Sequence, residues 1–507
     1  MTAAAEGGTR ETREAKGLGG GQVGLLGAVV IGVSTIAPAY TLTGALGPTA
    51  SAVGDHLPAI FIVGFVPMLL VALGYRALNS AMPDAGTTFT WGSRAFGPWI
   101  GWMGGWGLLA ATILVLSNLA GIAVDFFYLM LSQLTGNDGI ADLAANVPVN
   151  VATCLVFMAL ACWVSYRGLE ATKVVQYVLV GFQFLILGWF AVAAFSRVAG
   201  GSAPAGLNID PGWFNPLGVE SFSAFAAGIS LSVFIYWGWD VVLTMNEETQ
   251  GERTTPGRAA LSTIAVIVVL YLTIALAVLS FSGTGDGELG MGNADIQENI
   301  FAALAGPVMG PFAVLMSLCV LASSAASLQS TFISPARTML AMGHYGALPP
   351  QYARVSRRFQ SPGHATVVAA VVASAFYAVM RVVSVNVLSD TITALGMMVC
   401  FYYGVTALAC VWYFRGSWGG NAKAFLTTFL APLVGGLLLL VFFVQTAVDS
   451  MDPSYGSGSE IGGVGLVFIL GVGVLGLGLV VMAVQYARRP GFFRGESITV
   501  GRSTTDA

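Results

Sequence analysis

Charged residues are scarce in this chain of 507 residues, where they make up 9% against about 25% in ordinary soluble proteins. Hydrophobic residues make up 56%, and the mean hydropathy is +0.79. So few charges cannot cover the surface of a soluble fold of this length, which excludes secreted, disordered and nucleic-acid-binding classes. The net charge of −4 gives no reason to expect a polyanionic partner. The composition therefore indicates a polytopic membrane protein.

Cysteine and histidine are also scarce. The five cysteines lie in apolar runs with no CxxC pair and no nearby histidine, and the three histidines lie at the ends of such runs. Disulfide and zinc sites need clustered ligands, so the sequence predicts neither. An intramembrane enzyme would need converging His, Asp, Ser or Cys groups. We therefore predict no metal, no cofactor and no enzymatic activity.

Long apolar runs separated by short polar connectors recur along the whole chain. A helix needs about 20 residues to cross the bilayer core, so these runs predict about twelve transmembrane helices. The predicted spans are 22–48, 57–79, 98–133, 147–167, 173–196, 220–245, 258–282, 303–342, 365–385, 388–414, 423–447 and 461–486. The third and eighth runs exceed what a bilayer requires and are expected to tilt or to project into water.

The basic residues test this topology. With the N-terminus in the cytoplasm, 19 of the 21 lysines and arginines fall on the cytoplasmic side, and only Arg197 and Arg381 on the other. This asymmetry satisfies the positive-inside rule. Residues 1–20 contain no apolar h-region and are read as an uncleaved tail. We predict a multi-pass protein of the cytoplasmic membrane, with one transmembrane domain at 21–487 and both tails, 1–20 and 488–507, in the cytoplasm.

Two spans carry residues that interrupt a helix. Span one contains Gly-Val-Ser-Thr-Ile-Ala-Pro at 32–38, and Pro38 predicts a break near residues 34–37 because it lacks a backbone donor and clashes with the preceding turn. Span six contains Ile-Tyr-Trp-Gly-Trp-Asp at 235–240. Broken backbone at membrane depth is tolerated where it is buried in protein or lines a cavity. The alternative for either span is a kink packed against neighbouring helices.

The two breaks occupy corresponding positions in the chain. They fall in the first members of two five-span sets, at about 22–196 and 220–414, and the extra helices follow at about 423–486. Because five is odd, the two sets have inverted topology, which predicts a substrate site at the bilayer midplane. Free amides at 35–38 suit a carboxylate, and unwound carbonyls around 235–238 suit an ammonium group. Together they predict recognition of an α-amino acid.

Several motifs occur in order along these spans. They are Gly32 to Tyr40, Met82-Pro83-Asp84-Ala85-Gly86, Arg94-Ala95-Phe96-Gly97, Arg167-Gly168 with Lys173 and Gln176, Tyr236 to Asp240, Glu247-Glu248, and Ser334-Pro335-Ala336-Arg337 through Gly346-Ala347-Leu348-Pro349-Pro350. With them the chain resembles the amino acid–polyamine–organocation (APC) superfamily of transporters over about 20–490, most closely bacterial amino acid permeases. The resemblance implies an all-α, LeuT-like five-plus-five inverted repeat with broken helices one and six and two C-terminal helices.

The resemblance also implies a substrate site. Residues 34–37 would bind the substrate carboxylate, and 235–238 would face its amino group. Phe234 matches an aromatic gate, while Asn118 in span three and Thr331 in span eight match positions on the same cavity. The positions implied are Ser34, Thr35, Ile36, Ala37, Asn118, Phe234, Ile235, Tyr236, Gly238 and Thr331.

Asp240 is the acidic residue that we assign to proton coupling or gating, because an intramembrane carboxylate usually marks a pathway or a proton relay. The alternative is a carboxyl group that only ties down the unwound backbone. The family usually has Glu at this position, and Gln183 stands where some proton-coupled members have Lys. Asp125, near the outer end of span three, is a second acid that either takes part or faces extracellular water.

Span eight carries four serines at spacings of four, three and four, which place them on one helical face. They are Ser323, Ser327, Ser330 and Ser334. Ser323 and Ser327 form a possible cation site against the carbonyls of broken span one, as in sodium-coupled relatives of this fold. The alternative is that small hydroxyl residues let the helices pack closely.

These observations predict a secondary active transporter that moves a small-molecule amino acid across the membrane by alternating access, through proton-coupled symport or exchange. A proton is expected as coupling ion rather than sodium. The alternatives are a carrier of polyamines or other organic amines, and an amino acid sensor that does not transport. Substrate identity, symport against exchange, and oligomeric state stay open.

Overall fold

The computed structural model describes residues 16–383, 387–498 and 500, without the side chains of 170–172, 387 and 388. Helices dominate this part of the chain, and one small antiparallel sheet pairs β1 (Glu460–Ile461) with β2 (Val464–Gly465). The helices are α1 (Leu25–Ile36), α2 (Pro38–Val53), α3 (Leu57–Ala81), α4 (Thr88–Phe96), α5 (Pro98–Thr135), α6 (Val147–Tyr166), α7 (Leu169–Ala199), α8 (Phe222–Ile235), α9 (Val241–Thr244), α10 (Thr255–Ser282), α11 (Ile300–Met309), α12 (Ala313–Thr331), α13 (Ile333–His344), α14 (Gly363–Val383), α15 (Val387–Tyr413), α16 (Ala422–Phe425), α17 (Ala431–Asp449), α18 (Leu466–Phe468), α19 (Val474–Arg488) and α20 (Pro490–Phe493).

Ten helical stretches of the described chain are long and apolar enough to cross a membrane. The first, Leu25–Ala81, is 57 residues long and holds two of the predicted spans, α1 with α2 and then α3. The predicted sixth span contains the shorter apolar helix α8, because its helix breaks. Each predicted span thus coincides with one helix or with successive helices. The all-helical fold class of a membrane protein is confirmed.

The first break lies at Ala37, as predicted. Ala37 adopts the left-handed conformation (φ 57°, ψ 69°) and its amide donates to the carbonyls of Val33 and Ser34, 3.1 Å away in each case. Pro38 then starts α2, where its fixed φ and missing N–H are tolerated. A non-glycine residue in this conformation is uncommon and requires support from its surroundings. Pro38, which lacks a backbone N–H, therefore divides span one into two helices.

The second break replaces the middle of span six with turns. α8 ends at Ile235, and α9 begins at Val241. Gly238 has φ 113°, a conformation that side chains of other residues rarely adopt. The glycine is therefore what lets the chain change direction between α8 and α9.

The predicted eighth run, 303–342, is not one long tilted helix. It divides into α11, α12 and α13, with a turn at Gly310–Phe312 and a second interruption at Phe332. Pro335 explains the second interruption, because it has no N–H to donate to Thr331 and its ring opposes that carbonyl. Proline and glycine thus divide this run into successive helices, and its expected tilt or projection stays a prediction.

The helix pairs bring the two breaks together. α2 packs beside α8, and α1 packs beside α9, so the halves of the two broken spans lie next to each other. α12 packs along α5 and closes one side of this centre. The C-terminal helices lie outside it, with α17 against α15 and α3, and α19 against α5.

The described segments before α1 and after α19 pack onto one face of the bundle. We call it the N-terminal face and define it by Lys16, Asp84, Glu247 and Tyr345. Lys16 is 3% exposed, although it lies in a segment that reads as a tail. At the other end of the chain, three apolar residues are buried against α4 and α5: Phe492, Phe493 and Ile498. These described residues before α1 and after α19 are therefore part of the packed structure.

Candidate functional site

The two helix breaks touch at one glycine. A Cβ atom built on Gly238 would lie 3.1 Å from the backbone nitrogen of Ile36 and 3.1 Å from the carbonyl carbon of Thr35. Real Cβ contacts are rarely this close, so the site needs a glycine for its space as well as for its φ. Span six thus lies directly against the unwound end of α1.

The free amides of span one lie further along than predicted. Thr35 and Ile36 belong to the last turn of α1, the Ala37 amide is already bonded within α1, and Pro38 has no N–H. The first amides of α2 that face the break are those of Ala39 and Tyr40. Assigning the amides to residues 35–38 was therefore wrong by a few residues, because α1 continues to Ile36.

The predicted hydroxyl residues of α12 line the other side of the break. The Ser327 hydroxyl donates to the Thr35 carbonyl (2.7 Å), and the Tyr40 amide donates to the Ser323 hydroxyl (3.4 Å). Thr331 lies one turn beyond, with its hydroxyl 3.4 Å from that of Ser327. The Thr35 and Ser330 hydroxyls are 2.9 Å apart. α12 therefore holds the break by hydrogen bonds, which is compatible with both the packing and the cation interpretations.

Asn118 of α5 belongs to a polar chain that crosses the centre. The Tyr40 hydroxyl donates to Asn118 Oδ1 (2.6 Å), and Asn118 Nδ2 donates to the Thr391 hydroxyl of α15 (2.8 Å). Phe234 lies edge-on to Tyr40, with ring centroids 6.1 Å apart. Spans one, three and six thus meet at Tyr40, and span ten joins them through Asn118. The sequence had not indicated Tyr40 as a site residue.

The remaining span-six residues are all buried. The Tyr236 hydroxyl donates to the Phe61 carbonyl of α3 (3.1 Å), and its ring packs against Phe65 and Tyr271. Ile235 is 0% exposed and lies in the last turn of α8. The Tyr236 side chain thus anchors the broken span to α3. The backbone carbonyls of the last turn of α8 lie at its C-terminal end, next to the break.

Asp240 follows this break and receives two tyrosine hydroxyls from α15. Tyr403 donates to Oδ1 (2.9 Å) and Tyr402 to Oδ2 (3.2 Å). Tyr402 in turn accepts from the Trp237 indole (2.6 Å), so the carboxyl group is linked back to the break itself. The residue is 2% exposed. A buried carboxyl group with two neutral hydrogen-bond donors can be either protonated or an ionised carboxylate.

Three further residues from the sequence analysis have clear positions. Asp125 is half-buried near the end of α5, and Gln183 is buried on α7. The side-chain amide of Gln183 has no hydrogen-bond partner among the described residues. Gln176 donates to the Ala326 carbonyl (3.0 Å) and accepts from the Ser34 hydroxyl. Ser34 is thus turned toward α7 and α12.

A group of buried charges closes the N-terminal face. The Lys16 ammonium lies 2.8 Å from Asp84 Oδ2 and 2.6 Å from Glu247 Oε1. The Tyr345 hydroxyl donates to Asp84 Oδ2 (2.6 Å). Beside them, Arg337 binds Glu248 through Nε and through Nη2, the latter at 2.8 Å. Buried ion pairs of this kind depend on all their partners being in place.

Burial and the neighbouring charges shift the pKa values of these groups in opposite directions. Burial alone lowers the pKa of Lys16, but the Asp84 and Glu247 carboxylates outweigh burial and raise it. Burial raises the pKa of Asp84, but the Lys16 charge, with hydrogen bonds from Lys16, Tyr345 and the Gly86 amide, lowers it overall. The pKa of Glu247 stays raised, because Lys16 only partly offsets its burial. Of Asp84 and Glu247, Glu247 is therefore the carboxyl group that holds a proton more readily.

Sequence reasoning missed three parts of this arrangement. Tyr40 and Gln176 lie inside motifs that it identified, but their partners are on distant helices. Lys16 was treated as one charge of a tail, and no local pattern indicates its burial. The Tyr402-Tyr403 pair offers the clearest available signal, since two adjacent phenols inside an apolar span require hydrogen-bond partners.

These features define the class of protein: an all-helical membrane protein of LeuT-like fold, with two broken helices meeting at its centre. A solved structure, that of MhsT in complex with L-phenylalanine, shares this fold with a TM-score of 0.60 at 16% identity, covering 83% of this chain and 98% of that one. The family model described as Amino acid permease matches residues 23–477. The chain belongs to that amino acid permease family, within the APC superfamily of transporters.

Curated relatives are distant and varied. The Branched-chain amino acid permease BcaP of Lactococcus lactis is 25% identical over 263 residues, which cover 48% of this chain and 52% of the relative. The Methylthioribose transporter of Bacillus subtilis is 23% identical, covering 66% and 69%. The Polyamine transporter RMV1 of Arabidopsis thaliana is 24% identical, covering 59% and 57%. The match to the first of these relatives spans about half of its length.

Proposed function

We propose that this chain is a secondary active transporter that moves an amino acid across the cytoplasmic membrane by alternating access. One observation carries the proposal: the end of α8, with its last carbonyls, and the start of α2, with the Ala39 and Tyr40 amides, converge on one buried centre. Carbonyls suit an ammonium group and helix N-terminal amides suit a carboxylate. Family membership and the L-phenylalanine named with MhsT support the same substrate class.

In this proposal the residues of the centre have distinct roles. The backbone amides of Ala39 and Tyr40 bind the substrate carboxylate. The backbone carbonyls of Ile235 and Tyr236 bind the substrate amino group. Phe234 and Tyr40 cover the substrate from the side opposite the N-terminal face. Asp240 carries the coupling proton or gates the site, and Ser323 with Ser327 supports the break or holds a cation.

The N-terminal face is cytoplasmic in this proposal. It gathers the chain segments that carry most of the basic residues, which is the arrangement that the positive-inside rule favours. The ion pairs of Lys16 with Asp84 and Glu247, and of Arg337 with Glu248, then close the cytoplasmic side. Substrate release to the cytoplasm requires these pairs to separate.

Uptake by proteoliposomes tests the proposal. The purified full chain is reconstituted, and labelled amino acids and polyamines are offered with and without an inward proton gradient, then again to vesicles preloaded with unlabelled substrate. We expect accumulation of an amino acid. Dependence on the gradient identifies proton symport, whereas uptake into preloaded vesicles alone identifies exchange.

The polyamine alternative is decided in the same assay, and it draws support from the relative named as a polyamine transporter. An amino acid and its decarboxylated analogue are offered in competition. Preferential uptake of the amine would replace the amino acid assignment, and binding without any uptake would indicate a sensor.

A further inference from the structure

An apolar groove runs between four helices at the outside of the bundle. It has a volume of about 340 Å³ and lies between α5, α13, α14 and α19. Every side chain that lines it is apolar. Its floor includes Leu114 and Met339, which are 2% and 7% exposed, and its rim includes Val372 and Leu477, which are 47% and 51% exposed. The groove is therefore deep on one side and open on the other.

The groove opens toward the bilayer. All four lining helices belong to stretches that are long and apolar enough to cross a membrane. Trp106, Met339 and Val368 lie between five and eight residues from the helix ends at the N-terminal face, or roughly 8–12 Å at the helical rise of 1.5 Å per residue. The groove thus begins on the side of the N-terminal face and extends along the helices to Leu114, Phe376 and Val474. An acyl chain that enters from the leaflet next to that face can run along it toward the middle of the bilayer.

Positive charge lies at the N-terminal face, near the ends of two of the lining helices. Arg357 and Arg358 are exposed in the loop that leads into α14, and Arg488 is exposed at the end of α19. The loop before one lining helix and the last residue of another thus carry exposed arginines at the N-terminal face. Basic residues placed beside a membrane helix attract anionic lipid headgroups.

We propose that this groove is a binding site for an anionic phospholipid, with one acyl chain in the groove and the phosphate near Arg357, Arg358 and Arg488. Apolar lining, an opening to one leaflet and charge at the surface end together select this ligand over a second copy of the chain. The floor residues Pro335 and Met339 flank Arg337, whose ion pair with Glu248 closes the N-terminal face. A bound acyl chain therefore supports α13 in the position that forms this pair.

Photo-crosslinking tests the proposal on the full chain in proteoliposomes. The probe is phosphatidylglycerol with a diazirine on one acyl chain, and the control probe is phosphatidylcholine with the same chain. We expect phosphatidylglycerol to label peptides of α14 and α19. Val372→Trp, which fills the groove from its rim, is expected to lose most of this labelling, while Val371→Trp, which is one residue away, 61% exposed and outside the lining, retains it.

The headgroup is tested by the double variant Arg357→Gln/Arg358→Gln, for which we expect about a tenfold loss of labelling by phosphatidylglycerol. Melting temperatures in detergent confirm that all variants are folded. Equal labelling by the two probes, equal loss in Val371→Trp and Val372→Trp, or cross-links between two copies of the chain in place of lipid would each overturn the proposal. The readout does not depend on transport, so its failure leaves the proposed function untouched.

Discussion

Gly238 is the residue at which the two broken helices meet, and both its conformation and its surroundings exclude a side chain. We expect Gly238→Ala to reduce uptake by about tenfold or more, because the new Cβ would strain φ and press on the Thr35–Ile36 peptide. Uptake rates and melting temperatures are the measurements. Gly188→Ala on α7 is the matched control, since nothing lies within 4 Å of the added atom. A normal rate in Gly238→Ala would show that the breaks separate during transport without this contact.

Asp240 either carries the coupling proton or only ties down the unwound backbone, and a single substitution distinguishes these two roles. In Asp240→Asn the amide accepts from one tyrosine, but its NH₂ group opposes the other donor, so we expect strongly reduced uptake with retained folding. Uptake measured against pH separates the two roles. If the acid carries the coupling proton, the pH dependence disappears in Asp240→Asn and persists in Tyr403→Phe, which removes a hydrogen bond but keeps the carboxyl group. Near-normal uptake with unchanged pH dependence would remove Asp240 from the mechanism.

The segment that leads into α1 is fastened to the bundle by Lys16, and Glu247 makes this attachment sensitive to pH. Burial raises the pKa of Glu247 above its ordinary value of about 4.3. The packed face therefore binds this proton more tightly than an opened face, and it is stabilised as the pH falls through the window above about 4.3. The lowered pKa of Asp84 changes the stability of the packed face in the opposite direction, and only below about pH 3.9. The raised pKa of Lys16 changes that stability only in the alkaline range.

Hydrogen–deuterium exchange of residues 17–24, corrected for the intrinsic rate, tests this dependence. We expect protection to fall with rising pH in the natural chain and to be independent of pH in Glu247→Gln, which keeps an oxygen acceptor for Lys16 and the Ala85 amide. Asp449→Asn, on the opposite face, serves as the control. An unchanged pH profile in Glu247→Gln would assign the dependence to another group.

The segment after α19 forms a second attachment at the same face. Phe492 stacks on Phe89 with ring centroids 5.4 Å apart, and the Ser497 hydroxyl donates to the Tyr345 carbonyl (2.6 Å). We expect Phe492→Ala to speed amide exchange in residues 490–498 by about tenfold or more, because burying this ring contributes several kcal/mol in a core. Phe425→Ala is the control, since Phe425 is 41% exposed. No change in exchange would show that the ring adds little to the attachment.

At the scale of the whole molecule, the distribution of basic residues predicts the orientation in the membrane. A cysteine at Gly419, in a connector that follows α15 on the N-terminal face, is expected to react with a membrane-impermeant maleimide only after the cells are opened. A cysteine at Ser202, on the opposite face, is expected to react in intact cells. The five natural cysteines give the background, which is measured in the unchanged chain. The reverse pattern would invert the proposed topology.

The sequence by itself determined the membrane class, the number of spans and the positions of both breaks. These are local properties: an apolar run crosses a bilayer by its length, and proline or glycine breaks a helix where it stands. Tertiary structure decided the rest. Lys16 meets Glu247 across 231 residues of sequence, and Tyr40 meets Asn118 across 78. Such contacts arise from how whole helices pack, which no single segment encodes. The amides that face the break are those of Ala39 and Tyr40 rather than those of 35–38, because α1 continues to Ile36.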